Sequence, residues 1–244
     1  MKQTVLTVSE NVALTENIYK SVLSGDVFDI KKPGQFINIK FDGLYLRRPI
    51  SVCDVYENNV VIIYKVVGVG TEKLSKMTVG EKLDVLVGLG NGYDVSNSGD
   101  FPLLIGGGVG IPPLYMLAKT LIKNGKNVSV ILGFNTEKDV FYVEQFKNIG
   151  AKVTVATVDG TFENKGFVTD YLPENYTYFY TCGPEPMLKA VYKSTKTSGQ
   201  FSFEERMGCG FGACMGCSCK TITGYKRICK DGPVLRKEEI LWED

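Results

Sequence analysis

Pro102-Leu103-Leu104-Ile105-Gly106-Gly107-Gly108-Val109-Gly110-Ile111-Pro112-Pro113 is the stretch of the 244-residue chain that sets its architecture. Four residues suited to a buried strand run into a glycine turn, and the proline pair after it suits a first helical turn. A strand, a glycine turn and a helix in that order can cradle a pyrophosphate. The glycines let backbone N–H groups approach the phosphates, and the helix terminus adds partial positive charge. The spacing of Gly106, Gly107, Gly108 and Gly110 is not G-x-G-x-x-G, and no acidic residue ends the next apolar run at Gly133-Phe134-Asn135. The dinucleotide fingerprint therefore fails as a pattern, and such a turn alone serves strand–helix packing as often as ligand binding. A second irregular turn, Cys182-Gly183-Pro184, ends another apolar run. Two such turns would share the carboxyl edge of one sheet, where open α/β sheets bind ligands.

Downstream of this stretch, apolar runs alternate with helical periods. Ile111 to Lys123 precedes Val128 to Leu132, Val140 to Asn148 precedes Lys152 to Thr157, and Phe167 to Leu172 precedes Tyr178 to Thr181 and the helical Pro184 to Thr195. That alternation predicts a parallel sheet covered by helices. Upstream the pattern is short strands: Thr4 to Val8, Ile18 to Leu23, Gln35 to Lys40, Ile50 to Val55, Val60 to Val67 and Lys82 to Val87, with turn signals at Pro33-Gly34 and Asn58-Asn59. These predict a small antiparallel barrel. Asn91 to Asp100 reads as a linker. The expected organisation is an α+β multidomain chain: an antiparallel β-barrel over 1–98, an α/β parallel-sheet domain over 99–199, and a glycine- and cysteine-rich module over 200–244 that follows neither period.

At this length folding buries about 70% of the unfolded chain's surface, so neither metal nor disulfide is needed to hold a core. Any cysteine cluster then requires a chemical explanation. The chain has 28 Lys and Arg against 27 Asp and Glu and no basic block, which gives no footprint for nucleic acid or an anionic membrane. It has no histidine, which removes the commonest general base and argues against proton-shuttling hydrolysis. The amino terminus alternates polar and apolar residues as a strand does, and no apolar run is long enough for a membrane helix. A cytoplasmic protein with reduced thiols is expected.

Five of the seven cysteines crowd into residues 209–229. Cys209, Cys214 and Cys217 are spaced C-x4-C-x2-C and Cys229 follows from a separate strand, the plant-type arrangement for a 2Fe-2S cluster. Gly208, Gly210, Gly212 and Gly216 let amides approach sulfides. The rival is a structural zinc, but zinc ribbons pair two close knuckles and this chain has one. Cys219 would point to the same side as Cys217 in an extended segment, and spacing alone does not exclude it as a ligand. Cys53 reads as a small buried hydrophobe, as would Cys182 apart from its turn. In the barrel, the Arg47-Arg48-Pro49-Ile50-Ser51 motif offers arginine forks to a diphosphate, and Gly70-Thr71 precede an expected short helix, Glu72 to Met77.

These motifs in this order resemble the ferredoxin reductase-like flavoproteins, with their R-x-Y-S flavin motif, GG(G)xG turn and CGP turn. The match is Arg48-Pro49-Ile50-Ser51, Ile50 standing where many relatives carry an aromatic residue. The resemblance implies that Arg48 contacts the FAD diphosphate, that Ser51 sits near the flavin N5, and that Ile63-Tyr64-Lys65 line the FAD. The run Glu204-Glu205-Arg206-Met207-Gly208-Cys209-Gly210-Phe211-Gly212-Ala213-Cys214, with Lys226 to Val234 (KRICKDGPV), is similar over nearly the whole chain to the electron-transfer subunits of class 1B dihydroorotate dehydrogenases. That family places the fourth cluster ligand at Cys229, which makes Cys219 a bystander. It implies electron flow from a partner FMN-containing dihydroorotate dehydrogenase catalytic subunit through 2Fe-2S and FAD to NAD, in a hetero-oligomer with two copies of each chain. Phe211 and Met215 are the candidate contacts to that chain. NADH is expected over NADPH, because Phe134 to Asp139 offers Lys138 but no arginine for a 2′-phosphate. The alternatives are another flavin and iron-sulfur NAD(P)H oxidoreductase subunit of the superfamily, or a zinc-stapled interaction module.

Overall fold

The structure is a computed structural model that describes residues 1–242. Six strands form the amino-terminal half: β1 (Lys2–Ala13), β2 (Ile18–Ser24), β3 (Phe36–Lys40), β4 (Arg48–Tyr56), β5 (Asn59–Lys65) and β6 (Lys82–Leu89). They close into an antiparallel barrel in the order β1-β2-β5-β4-β3-β6. Alternation with period two fills it. Ile37, Ile39, Ile50, Val52, Val60, Ile62 and Tyr64 pack in one interior cluster. Their neighbours Cys53, Val61 and Ile63 belong instead to an outer cluster shared with Leu114, Leu117 and Leu121 of the second domain. The two domains are also joined by the Lys119 to Asp54 ion pair at 2.6 Å.

The second sheet has the strand order β10-β9-β8-β7-β11-β12-β15. Its strands are β7 (Pro102–Gly107), β8 (Ser129–Phe134), β9 (Lys152–Thr157), β10 (Asn164–Lys165), β11 (Tyr178–Cys182), β12 (Gly199–Ser202) and β15 (Val234–Arg236). All neighbours are parallel except β12 and β15. Between β7 and β8 runs α2 (Pro112–Lys123), whose prolines start it and whose Leu114, Leu117, Ala118 and Leu121 form the buried stripe. The shorter helices are α1 (Val69–Ser75), α3 (Val143–Asn148) and α4 (Glu185–Ser194). A separate hairpin pairs β13 (Ser218–Thr221) with β14 (Gly224–Arg227).

The structure differs from the sequence reading at four places. Residues 168–171 form a 3-10 turn and not an α-helix. Helix α1 begins at Val69, so Gly70 and Thr71 lie inside its first turn and do not precede it. The boundary expected at 199/200 falls inside β12, which continues the sheet beside β11. The linker is held down: Tyr93 donates its hydroxyl to Thr181 O at 3.2 Å, and Asn91 donates to Val234 O at 2.7 Å. Among the described residues no helix is long and apolar enough to cross a membrane.

Candidate functional site

The four spaced thiols fall into two pairs. Cys214 N reaches Cys209 Sγ at 3.4 Å, and Cys229 N reaches Cys217 Sγ at 3.4 Å. The outer pair lies on the glycine loop, with Cys214 exposed and Cys209 half-buried. Its sulfurs face main-chain donors: Ala213 N and Cys214 N reach Cys209 Sγ at 3.2 and 3.4 Å, and Gly216 N reaches Cys214 Sγ at 3.5 Å. A side chain at Gly208 would start 3.2 Å from Cys214 Sγ, so this glycine keeps the approach to the sulfur open. Burial pushes the Cys209 thiol up, but the N–H groups of Cys214, Phe211 and Ala213, with the Cys214 thiol, outweigh it and bring it down to about 6.

The inner pair is buried with Phe36, Ile228 and Leu235 in an apolar cluster. Cys229 N reaches Cys217 Sγ at 3.4 Å. Burial first, then the neighbouring Cys217 and Cys209, pushes the Cys229 thiol up to about 12. Cys229 stands in the turn after β14, not in a strand. Arg227 ties the pairs together, donating to both Asp231 carboxylate oxygens at 2.9 and 3.2 Å and to Gly212 O at 3.1 Å.

Two pairs are the donor set of a two-iron cluster, in which each iron takes two protein sulfurs. A tetrahedral zinc needs its ligands converging on one point. Among the described residues no three His, Cys, Asp or Glu side chains do so. Cys219, on β13, lines a cleft of about 740 Å³ with Pro184, Phe203 and Trp242, and burial raises its thiol. That cleft lies beside the Cys182 turn and not over the paired thiols.

The two glycine turns meet at the carboxyl edge of the sheet, where Gly106 pairs with Cys182 across β7 and β11. Contact is so close that a Cβ on Gly110 would stand 2.4 Å from Cys182 O, and one on Gly107 would stand 2.5 Å from Met187 Sδ. Gly108 has a φ of +50° and open space around it, the one glycine of the turn free on the solvent side. The Cys182 thiol is pushed up to about 12, chiefly by burial. The edge therefore presents backbone and not reactive side chains, which suits a nucleotide pyrophosphate.

On the barrel the two arginines diverge. Arg47 is committed to the fold, forked onto Asp84 at 3.0 and 3.1 Å. Arg48 lies along Gly70, where a Cβ would come within 2.3 Å of Nε, and among the described residues its guanidinium donates to Leu46 O alone. Thr71 is spent on the helix start, its Oγ1 accepting from Val67 N at 3.0 Å and donating to Gly68 O at 3.0 Å. Pro49 and Ser51 are half-buried, whereas Ile50 points into the barrel. Of the Ile63-Tyr64-Lys65 stretch, Ile63 faces the domain junction, Lys65 is exposed, and Tyr64 is buried inside the barrel with its hydroxyl donating to Asn11 Oδ1 at 3.3 Å. Tyr64 thus presents backbone, not its ring, to the outer face.

Barrel, nucleotide edge and paired thiols define an NAD-linked oxidoreductase of the ferredoxin reductase-like fold with an iron-sulfur module. The family model for the oxidoreductase NAD-binding domain matches residues 104–193. That for the iron-sulfur cluster binding domain of dihydroorotate dehydrogenase B matches residues 204–241. The dihydroorotate dehydrogenase B (NAD(+)) electron transfer subunit of Bacillus pumilus is 46% identical, with 98% of each chain covered. That of Fusobacterium nucleatum is 43% identical over 98% of this chain and 99% of its own. The solved NADH-dependent reduced ferredoxin-NADP oxidoreductase superposes with a TM-score of 0.89 at 30% identity, covering 98% of this chain and 90% of that one. The chain belongs to the family of dihydroorotate dehydrogenase B electron transfer subunits. Its fold and its two matched modules indicate 2Fe-2S, FAD and NAD as cofactors.

Sequence reasoning offered Arg47 to a diphosphate where the structure commits it to Asp84, and it passed over Asn38 and the Arg227–Asp231 pair. Only the last left a signal, an arginine and an aspartate four apart on either side of Cys229.

Proposed function

We propose that the chain carries electrons from an FMN-containing dihydroorotate dehydrogenase catalytic subunit to NAD, through a 2Fe-2S cluster on Cys209, Cys214, Cys217 and Cys229 and an FAD on the barrel. The observation that carries this is the division of the four thiols into two pairs, each joined by a main-chain N–H to a sulfur, beside the nucleotide sheet. When bound, FAD exchanges electrons singly or in pairs, which joins a hydride carrier to a one-electron cluster.

The chain's own residues bind and orient. Arg48, whose guanidinium has no carboxylate partner among the described residues, would hold the FAD diphosphate. Pro49, Ile50 and Ser51 would set the flavin-facing strand, with Ser51 toward N5, and the backbone of Ile63-Tyr64-Lys65 with Gly70 and Thr71 in the first turn of α1 would complete the floor. Gly106, Gly107, Gly108 and Gly110 hold the NAD pyrophosphate, and Cys182-Gly183-Pro184 wall its nicotinamide end. Lys138 without an adjacent arginine favours NADH. No histidine is present to act as base for an organic substrate, so that chemistry belongs to the partner chain. Phe211 and Met215, 42% and 55% exposed beside the outer thiols, form the contact with the partner. The assembly holds two copies of each chain in the cytoplasm.

The test is reconstitution. The purified chain should contain iron, sulfide and FAD, reduce a dye with NADH at higher kcat/KM than with NADPH, and leave dihydroorotate untouched. Adding the FMN-bearing subunit should create dihydroorotate-dependent NAD reduction and a hetero-oligomer. Dihydroorotate turnover by the single chain, or FMN as its only flavin, overturns the reading.

A further inference from the structure

We infer that Asn38 is the positioning residue that sets the gap between the flavin motif and the cluster loop, an inference that rests on the cofactor assignment above. Asn38 sits on β3 between Ile37 and Ile39, both turned into the barrel, so alternation puts its amide on the outer face. There it lies directly across from Pro49 of the flavin motif, and two residues along the same strand Phe36 pairs with Ser51. It is only 1% exposed. Its Nδ2 donates to the main-chain oxygen of Cys209, the first ligand of the outer pair, at 3.2 Å. One residue thus spans from the strand assigned to FAD to the loop assigned to the cluster.

Three further features fix that span. Gly210, at φ +80°, would place a Cβ only 2.3 Å from Asn38 Nδ2, so the loop meets the amide with bare backbone. The main-chain oxygen of Asn38 accepts from Arg47 at 3.4 Å, and Arg47 is itself forked onto Asp84. The donor is therefore held from behind as well as in front. Finally, Asn38 Oδ1 is buried without a partner among the described residues. An aliphatic side chain would fill this place without stranding an acceptor, so packing gives no reason for the amide, whereas its single bond to Cys209 does. Partners one shell out from a metal ligand set its orientation and tune the metal.

The test compares wild type with Asn38→Leu, which removes donor and acceptor, and Asn38→Ser, which keeps a donor. Each holoprotein is assayed for iron, sulfide and FAD and mixed rapidly with NADH. The hydride carries two electrons to FAD, releasing NAD, and one of them then passes to the cluster and reduces one iron. The rate of cluster bleaching is read against the rate of FAD bleaching in the same trace. In Asn38→Leu that ratio should fall about tenfold or more at unchanged iron and FAD content, the EPR signal of the reduced cluster should shift, and Asn38→Ser should restore both in part. An unchanged ratio and signal in Asn38→Leu, or loss of iron in both variants, overturns the inference, the latter by making Asn38 a determinant of folding. Wild type lacking iron or FAD would instead sink the proposed function and leave a different pattern.

Discussion

The two thiol pairs do the same job in opposite ways. Cys209 and Cys214 stand on an open glycine loop, whose N–H groups bring the Cys209 thiol down to about 6. Cys217 and Cys229 are each 2% exposed inside an apolar cluster, where burial pushes the Cys229 thiol up to about 12. One half of the ligand set is prepared by backbone dipoles and contributes little to the core. The other half is part of the core, and binding metal there must drive out protons that burial holds on. The outer half is built for access and the inner half for permanence.

The sharpest way to break that contrast is substitution of the inner pair. Cys217→Ser or Cys229→Ser should lose the cluster and also destabilise the metal-free chain by about 1–3 kcal/mol, because a hydroxyl replaces a thiol in an apolar site. Iron analysis and thermal melts of the apo chain check both. Cys214→Ser should lose iron equally, yet leave the apo melt within about 0.5 kcal/mol, since this residue is exposed. Equal apo destabilisation by the two would erase the distinction.

Gly210→Ala tests the preparation of the outer loop. A Cβ at φ +80° costs about 1–2 kcal/mol and also meets Asn38, so cluster retention on dilution should drop while NADH reduction of FAD persists. The pH dependence comes next. In the metal-free chain Cys209 ionises above about 6 and Cys229 only near 12, against a usual value of 9.0. Alkylation near neutral pH should therefore modify Cys209 well before Cys229, and its rate at Cys209 should fall as pH drops through about 6. Mass mapping reads the order, and faster labelling of Cys229 would reverse the contrast. The smallest effect is expected of Cys219→Ser, which should keep iron and visible absorbance.

Most of the barrel was legible because half-buried antiparallel strands alternate, and the strand, turn and helix around Gly106 to Gly110 were legible because glycines end an apolar run and prolines start the helix after it. The strands β12 and β15 were not. All four residues of Gly199–Ser202 are buried, so no alternation marks them, and Val234–Arg236 is too short to show a period. Arg47 and Arg48 look alike in the sequence; only the position of Asp84 on β6, one strand beyond β3, separates the arginine held by a carboxylate from the other. Asn38 gave no signal, since one polar residue between two isoleucines is what any barrel strand shows on its outer face. The cysteine spacing could be read, but the division of the four thiols into an open pair and a buried pair required the core around Ile228 and Leu235.

The pairing of Ser202 with Val234 carries a modular consequence. Everything from Phe203 to Pro233 leaves the sheet at one strand and returns at its immediate neighbour, so the whole cluster-bearing segment is an insert in what is topologically a hairpin connection. Its removal would break no other strand pairing of the sheet or barrel. A chain in which a short turn joins Ser202 to Val234 should still form the barrel and the nucleotide edge, and the cluster is in this sense a cartridge seated in a reductase that is complete without it.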